Sequence, residues 1–390
     1  MNLDLILAII FYVLVIIFLI KKRKNVEVQG NIFFLYRTKL GLKLMDKIAG
    51  ISPKTLKILG LLGIITGFLG MIIIFYFLVI GVINVFLVPE APPALAPLLP
   101  GIKIVPGIPT LSFWYWIISI FVVASIHEFF HGIYARANKI KVQSSGFAFL
   151  GPIPAAFVEP DEKELSKKGR FAQISVFAAG PFANILLGVI IAIILFGVIN
   201  VNTVQIADMG ENSTLALSGM KVDDVLFEIN TAKIDTAGDV VDSLKNVKPG
   251  DIVNFKTSSG NYDVVAEKNP KNNTKASFDF GVRNSFFNYH DKAVYLYGSF
   301  PKALSWIVNL LVWLFIITVG VGLFNLLPLG PIDGGRMLLS LLSRFTSNVG
   351  LVKKIWLSIS FLCLLLILVN LLPFLISLFE FLFKPLINLV

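Results

Sequence analysis

Two histidines and a glutamate stand within five residues of one another, in His127-Glu128-Phe129-Phe130-His131. Residues four apart share one face of a helix, so both imidazoles can reach a single metal ion. The Glu between them is then set to exchange protons with water that the metal activates. The motif directly follows residues 113–126, a run apolar enough to lie in a bilayer. A charged side chain at mid-bilayer costs roughly 2.5–3.5 kcal/mol on insertion scales, so ionisable groups at that depth point to function.

A catalytic zinc usually has three protein ligands and one open position. The two histidines leave one ligand to find, and carboxylates at membrane depth are few. Glu159 sits at a span boundary and Glu380 near the outer end of the last apolar run. Asp333 is the one other carboxylate at depth besides Glu128, in Asn325-Leu-Leu-Pro-Leu-Gly-Pro-Ile-Asp333-Gly334-Gly335. Glycines and prolines there free the main chain to aim a short side chain, so Asp333 is the expected third ligand. Capping a helix that starts near Gly334 is its alternative task, and one Asp can do both. Glu128 is the expected general acid/base. No Lys or Arg lies on its face to make it a structural ion-pair partner.

The elements that must hold these groups are membrane helices. The 390 residues are 56% hydrophobic and 15% charged, against about 25% charged in a soluble domain. Six apolar runs reach spanning length, at about 3–20, 58–87, 111–135, 171–199, 304–327 and 355–378. The net charge of +10 does not read as nucleic-acid binding, because Lys and Arg concentrate in short loops beside the runs. The basic cluster Lys21-Lys22-Arg23-Lys24 follows the first run instead of preceding it. That order reads as an anchor with its N-terminus outside, not a cleaved leader, and six spans then place both termini outside. The single Cys363 rules out an internal disulfide and any multi-cysteine metal site.

Residues 1–110 hold the first two spans, a basic cytoplasmic loop and the proline-rich external stretch 88–109. In that loop Lys39, Lys43 and Lys47 recur beside Leu40, Leu44 and Ile48. The pattern suits a helix on anionic headgroups or an ordinary solvated basic face. Residues 111–200 hold the His-Glu span, a re-entrant loop or hairpin at 143–160, and a fourth span interrupted at Gly180-Pro181. Residues 201–291 change character, with alternating charges and β-branched residues at 251–256 and 262–266. They read as a water-soluble α+β domain on the side away from the basic loops. Residues 292–345 hold span five and an irregular segment with Asp333, and 346–390 hold the last span.

These motifs together resemble the site-2 protease family of intramembrane zinc metalloproteases. The resemblance runs over about residues 111–336. It rests on the His-Glu motif and on Gly180-Pro181-Phe182-Ala183-Asn184, which is similar to the family's Gly-Pro-x-x-Asn element. It rests also on Asn325 to Gly335 and on the hairpin at 146–160. It implies zinc as cofactor, His127, His131 and Asp333 as ligands, and Glu128 as catalytic acid/base. Asn184 would be a polar group near the scissile carbonyl. Its residue type suits an oxyanion or, equally, main chain freed by Pro181. The implied fold is a polytopic α-helical membrane protein of about six spans, with a small α+β PDZ-like extracytoplasmic domain between spans four and five. Residues 213–230 resemble the turn and strand of such domains, with a helix near 239–246, although Asp223-Asp224 replaces the usual Gly-Asp.

The implied activity is hydrolysis of a peptide bond within or beside a substrate's membrane-spanning helix, with membrane lipid as the other partner and no nucleic acid. Three rivals stay open at this point. One is a different membrane zinc protease with a Glu as third ligand, another a metal or ion transporter using the same ligands, and the last a silent scaffold. His290 reads as an exposed, non-functional histidine. Asn212-Ser213-Thr214 and Asn272-Asn273-Thr274 fit glycosylation acceptors.

Overall fold

The computed structural model describes residues 3–29, 33–88, 95, 97–101, 111–150, 153–200, 203–210, 213–222, 224–269, 272–285, 288–289 and 301–387. Asn212, Asp223, His290 and most of the proline-rich stretch lie outside the described residues. The chain divides into two units. Residues 1–102, 110–191 and 309–390 form one, and residues 103–109 and 192–308 the other.

Among the described residues six helices are long and apolar enough to cross a membrane, and the protein is a polytopic helical membrane protein. They are α1 (Leu3–Lys21), α3 (Pro53–Leu87), α4 (Phe113–Ala137), α6 (Arg170–Val198), α9 (Pro301–Asn325) and α11 (Val349–Ile387). Local chemistry moves some ends away from the hydropathy limits. α3 starts ahead of its apolar run, because the Ser52 hydroxyl accepts from the Thr55 N–H and Pro53 suits a first helical turn. The expected break at Gly180-Pro181 is absent, and α6 runs unbroken through both residues. A helix is the economical way to satisfy main chain in lipid, and proline removes only one of its hydrogen bonds.

Residues 142–160 form an antiparallel hairpin of β3 (Val142–Leu150) and β4 (Ile153–Pro160). The hairpin is half of a larger sheet. β1 (Val26–Gln29) and β2 (Phe33–Thr38) complete it in the order β1-β2-β3-β4. Arg37 on β2 pins three strands together. It bonds Glu27 on β1 at 3.0 Å and pairs with Glu159 on β4, which also accepts from the Ser144 hydroxyl at 2.7 Å. Helix α2 (Leu42–Ile51) follows, starting later than the lysine pattern suggests because Gly41 is left-handed, with φ +78°. Two further helices of this unit are α5 (Glu162–Ser166) and α10 (Asp333–Phe345).

Its core gathers Met71, Tyr134, Phe177, Leu326 and Met337 around α3, α4, α6 and α10. Glycines let α3 approach closely. Gly60 faces Tyr134, Gly63 faces Phe182, Gly67 faces Met337 and Gly70 faces Leu326. Span two therefore backs the helices that carry the chemistry, which its sequence does not reveal. A Cβ on Gly70 would stand 2.5 Å from Leu326 Cδ1. Gly70→Val is expected to lower stability by about 1–3 kcal/mol, as overpacking does. Thermal unfolding in detergent checks this.

The second unit is mixed α and β. Its strands are β5 (Ile199–Asn200), β6 (Thr203–Met209), β7 (Val225–Ile229), β8 (Ala232–Lys233), β9 (Ile252–Thr257), β10 (Asn261–Val265), β11 (Glu267–Asn269), β12 (Asn272–Ser277), β13 (Phe280–Ser285) and β14 (Asn288–Tyr289). The main sheet runs β10-β9-β7-β6-β13, all antiparallel, with β8 beside β7. Helices α7 (Thr214–Leu217) and α8 (Ala237–Leu244) accompany it, and a Thr236–Asp239 capping box opens α8. Val204, Ile206, Leu226, Val253 and Phe255 fill the core. The strands read from alternation at 251–256 and 262–266 are β9 and β10.

Candidate metal centre

His127 and His131 lie one turn apart on α4, and Asp333 is the first residue of α10. Their ligating atoms form a nearly equilateral triangle. His127 Nε2 is 3.0 Å from Asp333 Oδ2, His131 Nε2 is 3.3 Å from the same oxygen, and the two Nε2 atoms are 3.1 Å apart. Tetrahedral ligands about 2.05 Å from zinc stand roughly 3.3 Å from one another. Among the described residues this is the cluster of His, Cys, Asp and Glu able to hold a metal. Two nitrogens and one carboxylate oxygen are a donor set that divalent metals such as zinc or iron accept.

The imidazoles are oriented for this task. His131 Nδ1–H donates to the Val176 carbonyl at 2.7 Å, which leaves its Nε2 as a lone pair. His127 Nδ1 faces the Asn184 carboxamide at 3.1 Å. A single proton serves one of the three edges, whereas a divalent cation serves all three. Gly180 on α6 leaves the space. A Cβ there would be 2.6 Å from His127 Nε2 and closer still to His131 Nε2. Sequence reading named Gly180 only as part of a motif. The available signal was a glycine in mid-helix, where it costs about 1 kcal/mol relative to alanine.

Asp333 does not cap its own helix. Ile332 occupies that position without a side-chain hydrogen bond, so the carboxylate is left for the histidines. The preceding segment folds tightly onto the start of α10. A Cβ on Gly334 would collide with the Leu326 and Leu327 main chain, and one on Gly335 would stand 2.5 Å from the Gly330 carbonyl. Helix α11 holds this segment. The Ser360 hydroxyl accepts from Gly330 N–H at 3.0 Å and donates to the Pro328 carbonyl at 3.3 Å. The Trp356 indole donates to the Gly335 carbonyl at 2.8 Å. Trp356 and Ser360 were not singled out from the sequence, where four-residue spacing of two polar groups on an apolar helix was the signal. Losing one net hydrogen bond is worth about 1 kcal/mol. Trp356→Phe is therefore expected to weaken metal binding about fivefold, measured by competition with a chelator.

Glu128 accepts from the Val158 N–H at 3.0 Å, so its carboxylate meets the outer edge of β4. With His127, His131 and Asp333 it lines a cavity of about 290 Å³. At the exposed end of that cavity Arg336 pairs with Glu162 at 2.5 Å and lies 4.3 Å above the Phe177 ring. Asp161 caps α5, the helix that carries Glu162, and its carboxyl is held below the usual carboxylate range. Its causes are the backbone N–H of Glu164 first, then the Gln143 amide. Glu159 is engaged by Arg37 and Ser144 and does not join the metal triangle. Asn184 is fully buried (0% exposed), and its carboxamide meets His127, while its main-chain carbonyl accepts from the Thr318 hydroxyl.

The sequence profile of peptidase family M50 matches residues 115–367, well over half of the chain. The chain belongs to peptidase family M50. The match takes in both histidines, the hairpin, residues 192–308 of the second unit and Asp333, and it reaches past Trp356 and Ser360 into α11. M50 is the site-2 protease family, so the resemblance drawn from the motifs stands and this M50 peptidase is a membrane metallopeptidase. It is 28% identical over 384 residues to an uncharacterised protein of Methanocaldococcus jannaschii, covering 92% of this chain and 93% of that one. Helices α1, α2 and α3 and strands β1 and β2 of this M50 peptidase lie ahead of the family-matched region.

Proposed function

We propose that this protein is an intramembrane zinc metalloendopeptidase that hydrolyses a peptide bond within or beside a substrate's membrane-spanning helix, in the manner of regulated intramembrane proteolysis. One observation carries the reading. Two Nε2 atoms and one carboxylate oxygen converge within 3.3 Å in a cavity that Glu128 also lines, among helices of membrane-spanning length.

His127, His131 and Asp333 would hold the zinc. When bound, zinc polarises the scissile carbonyl and makes water nucleophilic near neutral pH. Glu128 takes the proton released as water attacks and passes it to the amide nitrogen that leaves. Asn184 acts on His127. With the carboxamide turned so that its oxygen faces Nδ1, the imidazole N–H donates to Oδ1, an atom that otherwise has no partner, and Nε2 is fixed as the ligand. This role differs from both tasks that the residue type alone allows, an oxyanion donor or a partner for main chain near Pro181.

A helical substrate hides its carbonyls in hydrogen bonds and must be held extended to be cut. β4 is the end strand of its sheet, and the Val158 N–H that faces Glu128 marks its outer edge. By alternation Ala156 presents its main chain to the same edge. Pro154 and Pro160 bring no N–H to it, which keeps the docking edge short. In this reading the active site lies nearer the cytoplasmic side, because the His-Glu motif falls toward the end of α4 that leads into Arg136, Lys139 and Lys141, and residues 201–291 are a PDZ-like extracytoplasmic domain that acts as a scaffold or size filter.

The test is zinc content together with cleavage of designed membrane-spanning peptides by the purified chain. Wild type is expected to hold one equivalent of zinc and to cleave. Asp333→Asn is expected to lose both. A variant Asp333→Asn that keeps its zinc and its activity would overturn the ligand set.

A further inference from the structure

Glu128 also lines a second cavity. It measures about 140 Å³, and its wall is mostly apolar, from Leu40, Met45, Phe129, Phe147 and Phe157, with Ser125 one helical turn before Glu128. Glu128 and Val158 line both this cavity and the metal pocket. Ala156 and Phe157 border it as well, so it lies beside β4.

Size and chemistry select an occupant. A cavity of about 150 Å³ holds a benzene-sized group, and this one is close to that size with a mostly apolar wall. A Leu, Met or Phe side chain fits that space, whereas an indole exceeds it and a charged group would lie unpaired. A segment laid along β4 points alternate side chains the same way, so one of them meets this cavity beside Glu128.

Part of the cavity wall comes from residues ahead of the family-matched region. Leu40 and Met45 precede the matched region 115–367. Their placement is specified. The left-handed Gly41 turns the chain from β2 into α2, and Met45, 2% exposed, packs on α4 where a Cβ on Gly132 would stand 2.5 Å from its sulfur. Leu40 stays 68% exposed at the rim.

We infer that this cavity is the side-chain pocket for an apolar residue of Leu, Met or Phe size adjoining the scissile bond, and that Leu40 and Met45 set its depth. The inference rests on the peptidase reading and adds a specificity to it. The full chain is reconstituted in vesicles with membrane-spanning peptides that carry Gly, Ala, Leu, Phe or Trp at each position around the mapped cleavage bond. One position is expected to favour Leu or Phe over Gly and Trp by about tenfold or more, the discrimination that apolar pockets reach. Ser125→Leu fills the pocket and is expected to cut cleavage of the Phe peptide about tenfold while sparing the Ala peptide. Met45→Ala deepens the pocket and is expected to admit Trp. Zinc content of each variant reports an intact site.

A second readout needs no turnover. A thiol placed at the rim by Leu40→Cys, with the native Cys363 buried, is expected to be shielded from a thiol reagent by the Phe peptide and not by the Gly peptide. Cleavage with no residue preference at any position, or preferences that Ser125→Leu and Met45→Ala leave unmoved while zinc is retained, would overturn the pocket. So would shielding of the rim thiol by lipid alone, equal with either peptide, which would assign the cavity to an acyl chain. Shielding by the Phe peptide without any cleavage would sustain the pocket and overturn the peptidase reading instead.

Discussion

Glu128→Gln is expected to reduce cleavage by about 10²- to 10⁴-fold, the usual contribution of a positioned general base, with zinc content unchanged. The substitution is informative because Glu128 has two visible attachments. Its carboxylate lines the metal pocket, and it also accepts from the Val158 N–H, which ties β4 to α4. Glutamine keeps a carbonyl oxygen for Val158 but has no basic site for a proton. If Glu128 served only to hold the strand, the glutamine variant would cleave nearly as well as wild type. Loss of cleavage with a full complement of zinc separates proton transfer from architecture. Glu128→Ala should go further and loosen β4 as well, raising hydrogen exchange at Val158.

Gly180→Ala is expected to abolish metal binding, and cleavage with it. The added methyl would stand 2.6 Å from His127 Nε2 and nearer to His131 Nε2, where it would crowd the two atoms that would hold a shared cation. No rotamer relieves this, because a Cβ has none. On propensity alone the change favours the helix by about 1 kcal/mol, so α6 should remain folded, and circular dichroism would confirm that. Zinc content by atomic absorption is the deciding measurement. Normal zinc in the alanine variant would show that the two Nε2 atoms do not meet at a metal beside α6.

Several elements were legible in the chain. Residues 113–137 declare a helix by apolar length, and the four-residue spacing of His127 and His131 puts both imidazoles on one face of it whatever surrounds them. Depth limits the carboxylates to a few, which is why Asp333 could be chosen as a partner for residues far away in sequence. Alternation located β9 and β10 because one face of each strand is wet. Other features were hidden by their own chemistry. β1 and β2 are short strands in a loop flanked by basic clusters, and pairing with β3 is a long-range matter that local pattern does not carry. The proline in α6 reads as a break, yet the helix continues because lipid offers main chain no other partner.

Sequence alone determined the membrane class and the two histidines on one helical face, and it offered Glu128 as the carboxylate beside them and Asp333 as their distant partner, since each follows from residue type, local spacing or the cost of charge in lipid. Tertiary structure decided everything that depends on space between elements. It set the 3.0–3.3 Å triangle, the vacancy that Gly180 leaves, the carboxamide behind His127, the grip of Trp356 and Ser360 on the aspartate segment and the pocket walled by Leu40 and Met45. The physical reason is range. Periodicity and depth are read within one helix, whereas ligand geometry depends on how four helices and a sheet pack, and no short window of sequence records that.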